Sequence, residues 1–169
     1  MTQSQAEPMF PIPAVYLIHG KDESPGGPVK KLQAVLEQHW PGLTFIRPDT
    51  PFYDTKRPAE VGVKELLRMA MPQGSLLVGV GLGGLVAARL QELGREDLQV
   101  IAVSSPTWED EVILRRCAER RLAFYSSQDR IIRSRVANWS QLASFSQDLD
   151  WLDPETDRHL KYVARIFDW

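Results

Sequence analysis

Between Ser75 and Leu90 the chain reads SLLVGVGLGGLVAARL, an apolar run, then glycine at four of the six positions 79–84, then a stretch with helical spacing. A strand that turns within a few residues into a helix needs glycine there, because the backbone must turn tightly and the helix lies close upon the strand. The run before the turn has no alternation of apolar and polar residues, which is the pattern of a strand buried on both faces. This unit commits the chain to an α/β architecture.

The same order recurs on both sides of it. AVYLIHG (Ala14 to Gly20) is a short buried strand, and PVKKLQAVLEQHW places Val29, Leu32, Leu36 and His39 at helical spacing. TFIRPDTP is a strand stopped by Pro48, and PAEVGVKELLRMA a second helix. After the glycine unit come LQVIAVSS, a helix through VILRRCAER with a capping box at Thr107-x-x-Asp110, and a fifth strand in LAFYSS. Ile132, Val136, Trp139 and Ala143 then share a helical face, ASFSQ is a weak strand, and Asp153-Pro154 opens a closing helix whose core face is Leu160, Val163, Ala164 and Phe167. The pattern predicts a three-layer sandwich of about six mostly parallel strands with helices on both faces.

Ligands of such sheets bind beyond the carboxyl ends of the strands. That rule selects His19, Gly20 and Lys21, Asp49, Val80 to Gly83, Ser104 and Ser105, Ser127 to Asp129, and the segment around Asp148.

With 169 residues, 43% of them hydrophobic and 25% charged, the chain suits one compact domain, here residues 14–169 behind a polar, proline-rich lead of 1–13. A formal net charge of −2 with interspersed signs argues against nucleic acid or an anionic membrane as partner. The longest apolar run, Leu76 to Ala88, is too short and glycine-rich to span a bilayer. The first residues have no basic region and carry Glu7, so a cytoplasmic location is expected. Cys117 is the sole cysteine, which rules out an internal disulfide or a multi-cysteine metal site. It is read as a small buried helix residue, and neither metal nor cofactor is expected.

The glycine turn has two readings. Gly79-Val80-Gly81-Leu82-Gly83-Gly84 fits the dinucleotide pattern G-x-G-x-x-G, in which backbone N–H groups at a helix N-terminus hold pyrophosphate. That pattern also wants an acidic residue about 20 positions on, at the end of the next strand. Here the next strand ends in Val103-Ser104-Ser105, and Glu96 and Asp97 precede it. The turn fits equally the strained strand-to-helix elbow G-x-S-x-G, with Gly81 where a nucleophilic serine would stand.

Four segments in order, VYLIHGKDESPGG, IRPDTPFYD, VGVGLGGLVA and FYSSQDRII, resemble the α/β-hydrolase superfamily, in particular its small lidless bacterial esterases, over nearly the whole chain from Val15. The resemblance implies an oxyanion turn at His19-Gly20, the nucleophile position at Gly81 and the triad acid at Asp129. It also implies that the N–H groups of Lys21 and Leu82 form the oxyanion hole. Gly81 has no hydroxyl, and the stretch Ser146 to Asp150, where the family places its histidine, contains none. His159 is the sole histidine after Asp129 and falls inside the closing helix; His39 reads as the last residue of its own helix.

The expectation is therefore an esterase-type hydrolase scaffold with a degenerate triad. It would bind a small carboxylate or ester-like ligand, or a partner, without hydrolysing it. An active hydrolase using His159 with a non-standard nucleophile is the alternative, and a dinucleotide module through Gly79–Gly84 the third reading. Ser24, Ser104 and Ser105 are the nearest other hydroxyls, none with an identifiable base. Asp129 reads equally as the N-cap of a helix over IIRSRVANW. Oligomeric state is not encoded in any pattern of the sequence.

Overall fold

A computed structural model describes residues 12–50, 56–129, 136 and 138–149. The elements are β1 (Val15–Ile18), α1 (Pro28–His39), β2 (Phe45–Ile46), α2 (Pro58–Leu67), β3 (Leu76–Val80), α3 (Leu82–Glu92), β4 (Gln99–Val103), β5 (Trp108–Glu109), β6 (Val112–Ile113), β7 (Ala118–Tyr125), α4 (Trp139–Leu142) and β8 (Ala143–Asp148). Six strands form one sheet in the order β2-β1-β3-β4-β7-β8, and every pairing in it is parallel. The expected fold class is the observed one.

The period-2 geometry of a strand divides the core in two. Val15, Leu17, Val78 and Val103 face α1 and its Val29, Leu32 and Leu36. Tyr16, Ile18, Leu77 and Ala102 face the other way, against residues of α2 and α3 such as Val63, Leu66, Leu85 and Val86. Burial on both faces is why these strands read as unbroken apolar runs. No described helix is long and apolar enough to cross a membrane.

The segment after β4 differs from its expected helix. Residues Trp108–Glu109 and Val112–Ile113 form a two-stranded antiparallel hairpin, with Asp110 at φ 55° in the turn between them. The carboxylate of Asp110 does not cap a helix at its own position. It accepts the Ala59 N–H at 3.1 Å, in the first turn of α2. Arg57 at the same helix end pairs with Glu111 at 3.4 Å. The Thr107-x-x-Asp110 pattern was therefore a cap for a different helix, and the β-branched pair Val112-Ile113 goes into the hairpin. Cys117 accordingly lies outside any helix and is exposed, contrary to its expected burial.

ASFSQ is a strand, as expected, and takes Ala143 with it, out of the helical face assigned to it. Trp139 is fully buried and donates its Nε1–H to the Ser105 carbonyl at 2.8 Å, whereas Trp108 is exposed. His39 ends α1, as read from the sequence. The closing helix, with His159, and most of the segment 130–137 that Asp129 would cap lie outside the described residues.

Candidate functional site

At the carboxyl edge of the sheet, four strand ends lie side by side. Register places Ile18 beside Gly79, Val80 beside Val103 and Val103 beside Phe124. The residues just beyond, Gly20, Gly81 and Ser104, therefore follow one another across that edge.

The glycines of the turn have two separate jobs. A methyl carbon on Gly79 would lie 2.3 Å from the Gly84 nitrogen, one on Gly83 would lie 2.4 Å from the Ile18 carbonyl oxygen, and one on Gly84 would lie 2.0 Å from Ser105 Oγ. These three let α3 descend onto β1, β3 and β4. Gly81 is different. It holds φ 59° and ψ −129°, and a methyl carbon there would meet only the Gly20 Cα, at 3.6 Å. Space for a side chain exists at Gly81, then, while its backbone conformation is one that side chains rarely adopt. That combination is what a strained strand-to-helix elbow requires, and residue 81 itself carries no side chain. The elbow is fastened by Gly81 N–H to the Val103 carbonyl at 2.9 Å and by Gly84 N–H to the Gly81 carbonyl at 3.1 Å.

Leu82 opens α3, so its N–H has no acceptor within the helix, and the positive end of the helix dipole sits beside the elbow. The facing turn begins at His19, which is fully buried. Thr50 N–H donates to His19 Nε2 at 3.0 Å. Because an N–H can only donate, Nε2 carries the lone pair and the imidazole proton is on Nδ1, which reaches the Gly20 carbonyl at 2.8 Å. Thr50 Oγ1 at 3.0 Å and Asp49 Oδ1 at 3.7 Å lie around the same Nε2. His19 is thus a strut between the end of β1 and the loop after β2, with its base nitrogen turned into that loop.

Glu23, which the sequence reads as part of a solvated charged turn with Lys21 and Asp22, instead closes the turn. Its Oε1 accepts the Gly20 N–H at 2.8 Å, and its own N–H reaches the Gly20 carbonyl at 3.2 Å. The signal was local: a polar residue three positions after a His-Gly turn is placed to hold it. Lys21 is exposed, and its backbone N–H takes no acceptor among the described residues.

Ser104 holds φ 50°, its Oγ is buried with no hydrogen-bond partner, and its N–H goes to the Phe124 carbonyl at 2.8 Å. A strained, unsatisfied polar residue one strand from the elbow is the kind of outlier that gathers at functional sites. Ser105 is committed to packing, with Oγ on the Val103 carbonyl at 3.2 Å.

Asp129 stands further along the edge, in the turn after β7, its N–H on the Ser126 carbonyl at 3.1 Å. The neighbouring Ser127 N–H donates to Asp148 Oδ1 at 2.9 Å, which ties that turn to the end of β8. Burial raises the Tyr125 phenol above its ordinary range, and the Asp148 carboxylate adds to the effect. The structure brings His19, Gly20, Lys21, Gly81 and Leu82 together, with Asp129 beyond β4 on the same edge.

A cleft of about 580 Å³ lies at the opposite, amino end of the sheet, lined among others by Gln91, Glu92, Asp97, Arg116, Cys117 and Arg121. It is remote from the elbow, and Arg121 and Glu92 within it are already engaged in hydrogen bonds. Arg121 donates to Gln91, Arg116, Leu142 and Ala88, and Glu92 accepts the N–H groups of Arg115 and Arg116.

Solved structures of the same shape are α/β-hydrolases. Alpha/beta hydrolase domain-containing protein 10 from mouse superposes with a TM-score of 0.69 at 11% identity, over 92% of this chain and 88% of that one. The esterase domain of a Rhodothermus marinus protein gives 0.63 at 15% identity, over 94% and 85%. An α/β serine hydrolase without a lid, from Xanthomonas campestris, gives 0.58 at 15% identity, over 96% and 83%. Identities this low establish the fold alone, and the fold is that of the α/β-hydrolases. No curated protein matches the chain by sequence. The profile of UPF0227, an uncharacterised protein family, spans residues 14–106, over half of the chain and all of it from β1 through the elbow to the end of β4, and the chain belongs to that family.

Proposed function

We propose that this protein is a hydrolase scaffold without serine-hydrolase chemistry, which binds a small carboxylate or ester-like ligand between the His19-Gly20-Lys21 turn and the start of α3. The observation that carries the reading is Gly81. It keeps the elbow's backbone, with φ 59° and room for a side chain, and lacks the hydroxyl that attack on an acyl group needs. What remains are two backbone donors, Lys21 N–H and Leu82 N–H, at a helix N-terminus, an arrangement suited to an acceptor oxygen. His19 supports the reading as well, since its lone pair already accepts from Thr50 N–H and serves no hydroxyl at the elbow.

The test is labelling with a fluorophosphonate serine probe together with turnover of p-nitrophenyl butyrate. No serine is labelled and turnover stays at background, because losing a catalytic serine removes roughly 10⁶ in rate in the subtilisin case. Stoichiometric labelling of any serine, Ser104 included, contradicts the proposal and returns the protein to the active hydrolases.

A further inference from the structure

The ligand site proposed above carries a carboxylate of its own. Glu23 Oε1 accepts the Gly20 N–H at 2.8 Å, and the Gly20 carbonyl is held by two donors, His19 Nδ1–H at 2.8 Å and Glu23 N–H at 3.2 Å. A carbonyl held from two sides fixes the plane of the Gly20–Lys21 peptide, and in a trans peptide the Lys21 N–H points the opposite way. Glu23 therefore helps to aim one of the two donors, and it also sets a negative charge beside them. A methyl carbon on Gly20 would lie 3.0 Å from Glu23 Oε1, and one on Gly81 would lie 3.6 Å from the Gly20 Cα. The carboxylate, Gly20 and the elbow are thus successive contacts.

The charges nearby do not cancel it: the Arg47 guanidinium donates to the Pro25 carbonyl and to Gln33 Oε1, and forms no ion pair with Glu23 among the described residues. Asp22 is exposed and Asp49 is 65% exposed, both of the same sign as Glu23. The Lys21 ammonium has the opposite sign and is on an exposed residue, where water and salt screen it. Glu23 is half-buried and hydrogen-bonded, so its charge is fixed in place. The N-terminus of α3 favours an anion with an effective charge of only about half a unit, against a full unit on Glu23. The buried, unpartnered hydroxyl of Ser104 on the same edge adds a polar group without charge.

We propose that Glu23 is a specificity-determining residue, and that the site takes a neutral carbonyl group, an amide or ester, in preference to the carboxylate of the same shape. The inference rests on the ligand-binding reading of the elbow. A neutral carbonyl oxygen accepts from Lys21 N–H and Leu82 N–H as a carboxylate oxygen does, without the repulsion from Glu23.

Butyramide and butyrate are nearly isosteric and differ in charge, so they are the probes. Each is titrated into the full-length protein at low ionic strength and neutral pH, and the amide resonances of Gly20, Lys21 and Leu82 are followed by NMR. Butyramide binds more tightly than butyrate by roughly tenfold, the size expected for like charges a few ångströms apart at a partly exposed site. Glu23→Gln keeps an oxygen to accept the Gly20 N–H, so it preserves the turn while removing the charge. In that variant most of the preference for butyramide over butyrate is lost. Butyrate binding as tightly as butyramide to the unaltered protein overturns the assignment to Glu23 and leaves the ligand site standing, as does a preference that Glu23→Gln does not alter. If neither compound moves these amides at tens of millimolar, both the specificity and the ligand-binding reading fall.

Discussion

The two ends of the central sheet are built on opposite terms. At the amino end Arg121, Glu92 and the Arg95–Asp97 pair are all matched among the described residues. The Arg121 guanidinium, fully buried, donates to Gln91 Oε1 at 2.9 Å and to the carbonyls of Arg116, Leu142 and Ala88 at 2.8, 2.9 and 3.0 Å. Burial works against the Glu92 carboxylate, but the N–H groups of Arg116 and Arg115 and the Arg89 side chain outweigh it and hold Glu92 below its usual range. At the carboxyl end, Lys21 N–H and Leu82 N–H are left without acceptors among the described residues, Ser104 Oγ is buried unsatisfied, and Gly81 and Ser104 both hold φ above zero. Matched groups stabilise a fold; unmatched donors and strained backbone lower stability and are kept where a ligand completes them. The contrast is why the proposed ligand site is placed at the elbow and not in the cleft at the other end.

The sharpest way to break that comparison is at Arg121. Arg121→Met keeps much of the volume and leaves Gln91 Oε1 and three carbonyls without their donor, and it is expected to lower stability by about 3–5 kcal/mol in denaturant unfolding. A loss below about 1 kcal/mol would show that the amino end is not the stabilising one. Next comes the glycine contact. Gly83→Ala sets a methyl 2.4 Å from the Ile18 carbonyl oxygen, and the resulting displacement of α3 is expected to cost about 2–3 kcal/mol.

Gly81→Ser differs in kind, because the space is free and only φ is strained, so about 1–2 kcal/mol is expected and the fold stays intact. If Gly81→Ser destabilised more than Gly83→Ala, the division of the glycines into packing and elbow positions would be wrong. An effect of the same size is expected at Asp97, where hydrogen bonds from Arg95 depress the carboxyl to about 2, against the cost of its burial. A depressed folded-state value means stability that is present above the unfolded value near 4 and is lost as pH falls toward 2. Asp97→Asn is expected to remove about 1–2 kcal/mol at pH 7 and to flatten stability between pH 4 and 2.

The sequence displays these two ends unequally. The carboxyl end was legible in large part, because an elbow is made by contacts within a few residues: glycine spacing, a strand before it and a helix after it. The His19-Gly20 turn is equally local. Glu23 was within reach of the same logic and escaped it because a charged turn residue usually points into water. The amino end was opaque. Arg121 follows the segment VILRRCAER that reads as a helix, and its acceptors come from α3, the segment before β7 and the end of α4. The hairpin was misread for a related reason. Asp110 carries a helix-capping signal, but the N–H it accepts belongs to Ala59, 51 residues earlier, and a window of sequence cannot assign a cap to a distant helix.

The account stands most directly on the claim that Gly81 is an elbow that has lost its nucleophile together with the histidine that would serve it. Turnover of p-nitrophenyl butyrate by Gly81→Ser and by Gly81→Ser with Asp148→His decides it. The single variant supplies a hydroxyl without a base and is expected to stay at background. The double variant places an imidazole at the end of β8, beside the turn bearing Asp129, and gives up the Asp148 carboxylate that accepts the Ser127 N–H. It is expected to gain measurable esterase activity, and Asp129→Asn to remove that gain. Activity in Gly81→Ser alone would contradict the account, since a base would then already be in place, with His159→Ala as the check on its identity.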